Sequence, residues 1–265
     1  MDRRKFLTTA STLGIVGLAG CAMTQDAPAA PEDAAAWPRV DPGLLDGWSE
    51  YDRIGLSLDE TLISQLDVSL KGTSNTIIYE NTALRSRIRS DTLGNLNSVM
   101  MAFFATKITI HNEFIGRLVP LDEINRHVRE TFRTNLSGFG LDGITVTGTT
   151  QTVADRIRTE YEADFVPEPV RLGEVDLPEV GTTEFPPLRP DEVPVTAFIE
   201  TWKEGSTFYM AGGVYPAKRQ IVTQSTTSVT GEEPGNGIDI NLTVTLNFAP
   251  EQYRETLEQM AKSVV

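Results

Sequence analysis

Residues 237–265, GIDINLTVTLNFAPEQYRETLEQMAKSVV, change their period once, at Pro250. Before it, Ile238, Ile240, Leu242, Val244, Leu246 and Phe248 alternate with Asp239, Asn241, Thr243, Thr245 and Asn247. Successive side chains of a strand point to opposite faces, so this pattern describes an antiparallel strand with one core face and one wet face. After Pro250, the residues Tyr253, Leu257, Met260 and Val264 recur at spacings of three and four, the stripe of an amphipathic helix. Proline is at home in a first helical turn, so the helix is expected over 250–264.

Working back towards the N-terminus, PGNG (234–237) is expected to turn the chain into QIVTQSTTSV. Lys203-Glu204-Gly205 is expected to join VTAFIETW and STFYMAGGVYP as a hairpin. SVMMAFFATKITI (98–110) is apolar on both parities, as in a strand covered on both faces, and is placed at the centre of the sheet. The clearest other helix is 120–136, within PLDEINRHVRETFRTNLSG, with Leu121, Ile124, Val128 and Phe132 on one stripe and Asp122 and Glu123 at its positive end. TLISQLDVSL and NTIIYENTALRSRI are read as strands flanking a turn at Gly72-Thr73-Ser74. GITVTGT is read as a strand; TVADRIRTEYEA reads as a strand or, through Val153, Ile157 and Tyr161, as a helix. The expected fold class is therefore α+β: a mostly antiparallel twisted sheet with two main helices, 120–136 and 250–264, packed on it.

The first twenty residues are of another kind. Arg3 and Arg4 precede an uncharged, weakly apolar run, Phe6 to Gly20, too short to cross a hydrocarbon core. A charged start, a short apolar middle and small residues before a break make an export signal. The paired arginines resemble a twin-arginine signal. Leu18-Ala19-Gly20-Cys21 resembles a lipobox, in which the cysteine becomes the first mature residue and carries lipid. The expected organisation is a signal over 1–20, a flexible tether over 21–47 with Trp37 as a residue that docks on the domain, and a single domain over 48–265. That domain carries a proline-rich acidic loop at 165–194, with seven prolines. The chain is then expected outside the cell, held on the outer face of the membrane by lipid on Cys21.

The composition has 23 basic against 37 acidic residues, a formal charge of −14. Removing the signal takes away three basic residues and one acidic, so the mature chain is more acidic still. Such charge argues against a nucleic-acid partner. Only six of the basic residues are lysine, and acidity with scarce lysine resembles proteins secreted in concentrated salt.

The order of twin-arginine lipobox, strands, central helix, a strand ending Gly213-Val214-Tyr215-Pro216 and closing helix resembles an uncharacterised family of haloarchaeal lipoproteins. The strand order and the closing helix are also similar to the Mog1/PsbP-like α+β sandwich. Neither resemblance implies a catalytic residue.

Searching the chain for chemistry yields little. Gly138-Phe139-Gly140-Leu141-Asp142-Gly143 spells GxGxxG, but it follows a helix and precedes a strand, the reverse of a dinucleotide site. His111 and His127 are the only histidines, so zinc would have to rely on carboxylates; no cofactor or metal is expected. Two arginine groups are candidates for gripping an anion: Arg85, Arg87 and Arg89, alternating on one strand face, and Arg126, Arg129 and Arg133 on one helix side. Their competing reading is pairing with the protein's own carboxylates. Asn135 and Asn241 begin glycosylation triplets. The function expected is that of a non-enzymatic envelope protein that binds a small ligand or protein partner. The alternative is a structural or assembly accessory of a membrane complex, with a hydrolase behind both.

Overall fold

The computed structural model describes residues 34–265 apart from 64–67, 93, 95, 139, 152–154, 168–173, 178–180, 185–190 and 231–236. Seven strands form one sheet: β1 (Trp48–Ile63), β2 (Val68–Asn81), β3 (Ala102–Ile110), β4 (Leu141–Gln151), β5 (Ile157–Phe165), β8 (Val193–Glu204) and β9 (Thr207–Pro216). Their order is β1-β2-β3-β9-β8-β5-β4, and every neighbouring pair is antiparallel. The connection from β5 to β8 holds a two-stranded ribbon, β6 (Glu174–Leu177) with β7 (Gly181–Glu184). A second ribbon pairs β10 (Gln220–Thr230) with β11 (Gly237–Asn247). Four α-helices lie among the described residues: α1 (Thr82–Asp91), α2 (Glu113–Leu118), α3 (Leu121–Gly138) and α4 (Pro250–Ser263). The fold is α+β, as expected, with α3 and α4 its two main helices.

The two helices take opposite faces of the sheet. Phe132 of α3 lies against Phe104 of β3 at a ring separation of 5.2 Å, and Asn125 accepts from the Thr201 hydroxyl of β8 at 3.1 Å. On the other face Leu257 of α4 sits where a Cβ on Gly213 would be, 2.7 Å from that position. Alternation along the strands supplies both cores, so β3, β8 and β9 are apolar on both parities.

Several expectations change. Residues 82–91 are helical rather than a continuation of the strand. Asn81 caps α1 by accepting from the Leu84 amide at 2.7 Å, and Leu84 and Ile88, four apart, are its buried side. Gly72 is inside β2 and makes no turn; a Cβ there would stand 2.5 Å from the Thr109 carbonyl oxygen, so glycine serves close strand approach. Residues 64–67, between β1 and β2, lie outside the described residues. The strand of SVMMAFFATKITI is interior but third in order; β9 is the central one. TVADRIRTEYEA is strand β5 from Ile157 onward, and its first three residues, 152–154, lie outside the described residues. The alternating segment 237–247 pairs with β10 as expected, but in a ribbon apart from the seven-stranded sheet, with α1 and α4 beside it. The hairpin around 203–205 forms, its turn shifted to Gly205-Ser206.

The segment before β1 is packed from Ala36 onward, so the C-terminal part of the expected tether is not free. Trp37 is 4% exposed, with the Arg53 guanidinium 4.9 Å above its ring. Arg39 and Val265 exchange backbone hydrogen bonds of 3.0 and 3.2 Å, joining this segment to the end of the chain. Docking of Trp37 is thus observed. Arg3, Arg4 and Cys21 lie outside the described residues.

Candidate functional site

The two arginine groups separate in the structure. Arg85, Arg87 and Arg89 do not share a strand face, because they stand on α1, where residues two apart point away from each other. Arg85 reaches the Glu80 carboxylate at 2.7 Å and Asn97 at 2.9 Å. Arg87 donates to the Asn247 carbonyl oxygen at 2.8 Å and the Tyr253 hydroxyl at 2.7 Å, tying α1 to β11 and α4. Arg89 is exposed in the last turn of α1. Arg85 and Arg87 are therefore engaged by the protein's own groups, the competing reading of this triad.

On α3, Arg126 is exposed and pairs with Glu123 one turn back. Arg129 and Arg133 differ from it. Arg129 stands at the margin of the buried stripe and donates to the Thr149 hydroxyl of β4 at 3.4 Å; its Nε is buried with no partner. Arg133 has no hydrogen bond or ion pair among the described residues. These two cations, four residues apart, repel each other across one turn. Below them is Tyr161 of β5, 0% exposed, whose hydroxyl is also buried without a partner. Burial pushes the Tyr161 phenol up to about 12, with Arg129 and Arg133 drawing it down against that.

Beside these polar groups lies an apolar cavity of about 60 Å³, lined by Ile78, Phe104, Phe132, Leu136, Phe165 and Val195 among others. Phe132 is the shared wall: it lines the cavity and meets the Tyr161 ring edge-on at 5.3 Å. Arg129, Phe132, Arg133 and Leu136 are at three- and four-residue spacings, hence neighbours on one side of α3. The arrangement offers two guanidinium groups and a phenol to an anionic head and a short apolar space to a body. It is smaller than the ~150 Å³ cavity that takes a benzene ring.

Raised in the folded state, the Tyr161 pKa also dictates a pH dependence. The stability it carries is fully present below pH 10, the unfolded value, and is lost as pH rises through about 12. At 1.36 kcal/mol per unit this is a loss of roughly 2–3 kcal/mol between those limits. Urea denaturation across pH 9–12 should show that decline, and Tyr161→Phe should lessen it by about that amount. Tyr51, raised to about 12 by burial and then by Glu80, leaves a residual slope.

A third cluster escaped sequence reasoning. Under α4, Arg158 of β5 contacts Glu160 at 3.0 Å, Glu200 of β8 at 3.3 Å and Glu258 of α4 at 3.0 Å. Arg156 reaches Glu200 at 3.5 Å and lies 3.8 Å over the Trp202 ring, while Arg254 joins Glu258 at 2.9 Å. Glu200 is the one charged residue of VTAFIETW, and a charge there was the available signal of a buried partner. The paired charges make this a structural clasp.

Of the remaining candidates, the GxGxxG glycines close α3 and turn into β4, with Gly140 at φ +80°, so the reverse order read from sequence holds. The His111 side chain is exposed, and it is the backbone amide that bonds, to the Lys71 carbonyl oxygen at 2.9 Å. His127, Asn135 and Asn241 lie on α3, α3 and β11, and their side chains fall outside the described residues. Among the described residues no three metal-ligating side chains cluster, and no helix is long and apolar enough to cross a membrane.

A family model described as a domain of unknown function (DUF6517) matches residues 38–265. Its first residue follows Trp37, close to where the packed segment begins. No curated protein and no solved structure matches the chain.

Proposed function

We propose, from the premise that the chain belongs to the DUF6517 family, that this is a non-enzymatic binding protein for a small organic acid with a short apolar body. It is exported through a twin-arginine signal and anchored by lipid on Cys21 to the outer face of the membrane of a salt-adapted, haloarchaeal cell. The observation that carries the binding reading is the pair of buried orphans, Arg129 Nε and Tyr161 Oη, beneath a helix whose Arg133 has no carboxylate partner among the described residues. In a chain with 37 acidic residues, arginines without a carboxylate among the described residues are unexpected on charge alone. A carboxylate between them would accept from both guanidinium groups and the phenol, relieve their repulsion and satisfy the buried donors. The cavity behind Phe132 would take its apolar end. The N-terminal features supporting export and anchoring are Arg3, Arg4 and the Leu18–Cys21 lipobox.

The test is a native and a denatured mass spectrum of the full protein purified in high salt from its own membrane. A small acid should be present natively and lost on denaturation, and Arg129→Gln with Arg133→Gln should abolish it. In the ligand-free protein, Tyr161→Phe removes an unpaired buried hydroxyl and should raise stability by about 1 kcal/mol. Retention of the same bound mass by the double arginine variant would refute this site. The accessory reading is favoured instead by one observation, the exposure of Phe114 and Leu118 on α2.

A further inference from the structure

We infer that the end of the sheet capped by α2 is the face this protein lays on the membrane surface, with Phe114 and Leu118 entering the lipid interface. Phe114 is 73% and Leu118 65% exposed, the two most exposed large apolar residues described, and four-residue spacing puts them on one side of α2. The helix is held rigidly from behind. A Cβ on Gly116 would stand 2.8 Å from the Ser206 side chain in the β8–β9 turn. Lys203 donates to the carbonyl oxygens of Arg117 at 2.9 Å and Val119 at 2.8 Å. Apolar side chains on so fixed a platform have no route to the core.

The N-terminal segment says what covers them. Trp37 lies under Arg53, which pairs with Ile77; one step back, the Ala36 carbonyl oxygen accepts from Asn75 at 2.7 Å. Ala35 then accepts from Lys107 at 2.8 Å, and Asn75 and Lys107 are register partners. Traced backwards, the described chain therefore reaches the level of Asn75 and Lys107, about 10 Å at 3.3 Å per residue from Ile110, which marks the end capped by α2. Twelve residues separate Cys21 from Ala34, and the described chain begins near the end that carries Phe114 and Leu118.

An aromatic and a leucine at the headgroup boundary add a second contact to the anchor. This placement rests on the anchored reading above, and the test separates the two.

The lipid-carrying full chain with Phe114→Cys, labelled at that thiol with an environment-sensitive fluorophore, is reconstituted on vesicles of phosphatidylglycerol and phosphatidylcholine with brominated acyl chains. Lipid on the Cys21 sulfur leaves residue 114 as the labelled site, and the mass spectrum verifies it. Blue-shifted emission quenched by the bromines, absent for Val146→Cys on the edge strand β4, is the expected result. An unquenched label at 114 on protein that sediments with the vesicles overturns the contact and leaves the anchor standing. An unmodified Cys21 with protein left in the supernatant overturns the anchor and this placement with it.

Discussion

Arg158→Met should lower the unfolding free energy by about 3–5 kcal/mol, the cost of removing one partner from a buried ion pair. Arg158 is the hub of the clasp under α4: it contacts Glu160, Glu200 and Glu258, and its guanidinium lies 4.2 Å over the Phe198 ring. Without it Glu200, with a side chain 7% exposed, keeps only Arg156 at 3.5 Å. The replacement keeps the apolar stem's volume, so the loss reports the charge. Urea denaturation with an unchanged slope would measure it; a loss under 1 kcal/mol would mean the cluster behaves as a surface pair.

The same clasp sets an acid limit. Burial alone would raise the Glu258 carboxyl, but hydrogen bonding from Arg254 and the charge of Arg158 outweigh it and hold it below the usual range. A depressed folded pKa contributes stability that is present above the unfolded value and lost as pH falls through the folded one. Arg158→Met should therefore also weaken the acid dependence.

Gly212→Ala should cost more than about 3 kcal/mol, beyond the usual range for an added methyl in a packed core. A Cβ at 212 would lie 2.1 Å from the Phe198 carbonyl oxygen, 2.9 Å from the Phe104 ring and 3.0 Å from the Ile199 Cα. Two of these three are backbone of β8, the strand paired with β9 in register Ile199↔Gly212. Neither can swing aside as a side chain would. The variant must part β8 from β9 at the middle of the sheet or move Phe104 off Phe132. Thermal unfolding, with hydrogen exchange of the β8 and β9 amides, would show where it yields. A variant as stable as the parent would mean the two strands can slide apart without loss.

Local pattern carried most of the fold class. The stripe of Leu121, Ile124, Val128 and Phe132 and that of Tyr253, Leu257, Met260 and Val264 led directly to α3 and α4. The run 98–110, apolar on both parities, led to β3, and the turn signal at 203–205 led to the β8–β9 hairpin. The reading failed where short-range signals compete. Arg85, Arg87 and Arg89 alternate as in a strand, but the Asn81 cap and the buried pair Leu84 and Ile88 favour helix.

Of the candidate site, the arginines on α3 were legible as one side of a helix. Tyr161 was legible only as an apolar position, since nothing local says that its hydroxyl ends beneath Arg129 and Arg133. From sequence alone came the α+β class, the two main helices, the acidic character and the N-terminal Arg3-Arg4 and Cys21 signature, all functions of spacing or composition within a few residues. Only the tertiary structure decided which arginines find carboxylates and that β11 leaves the sheet for a ribbon. Each depends on contacts between residues far apart in the chain, for which a local period carries no information.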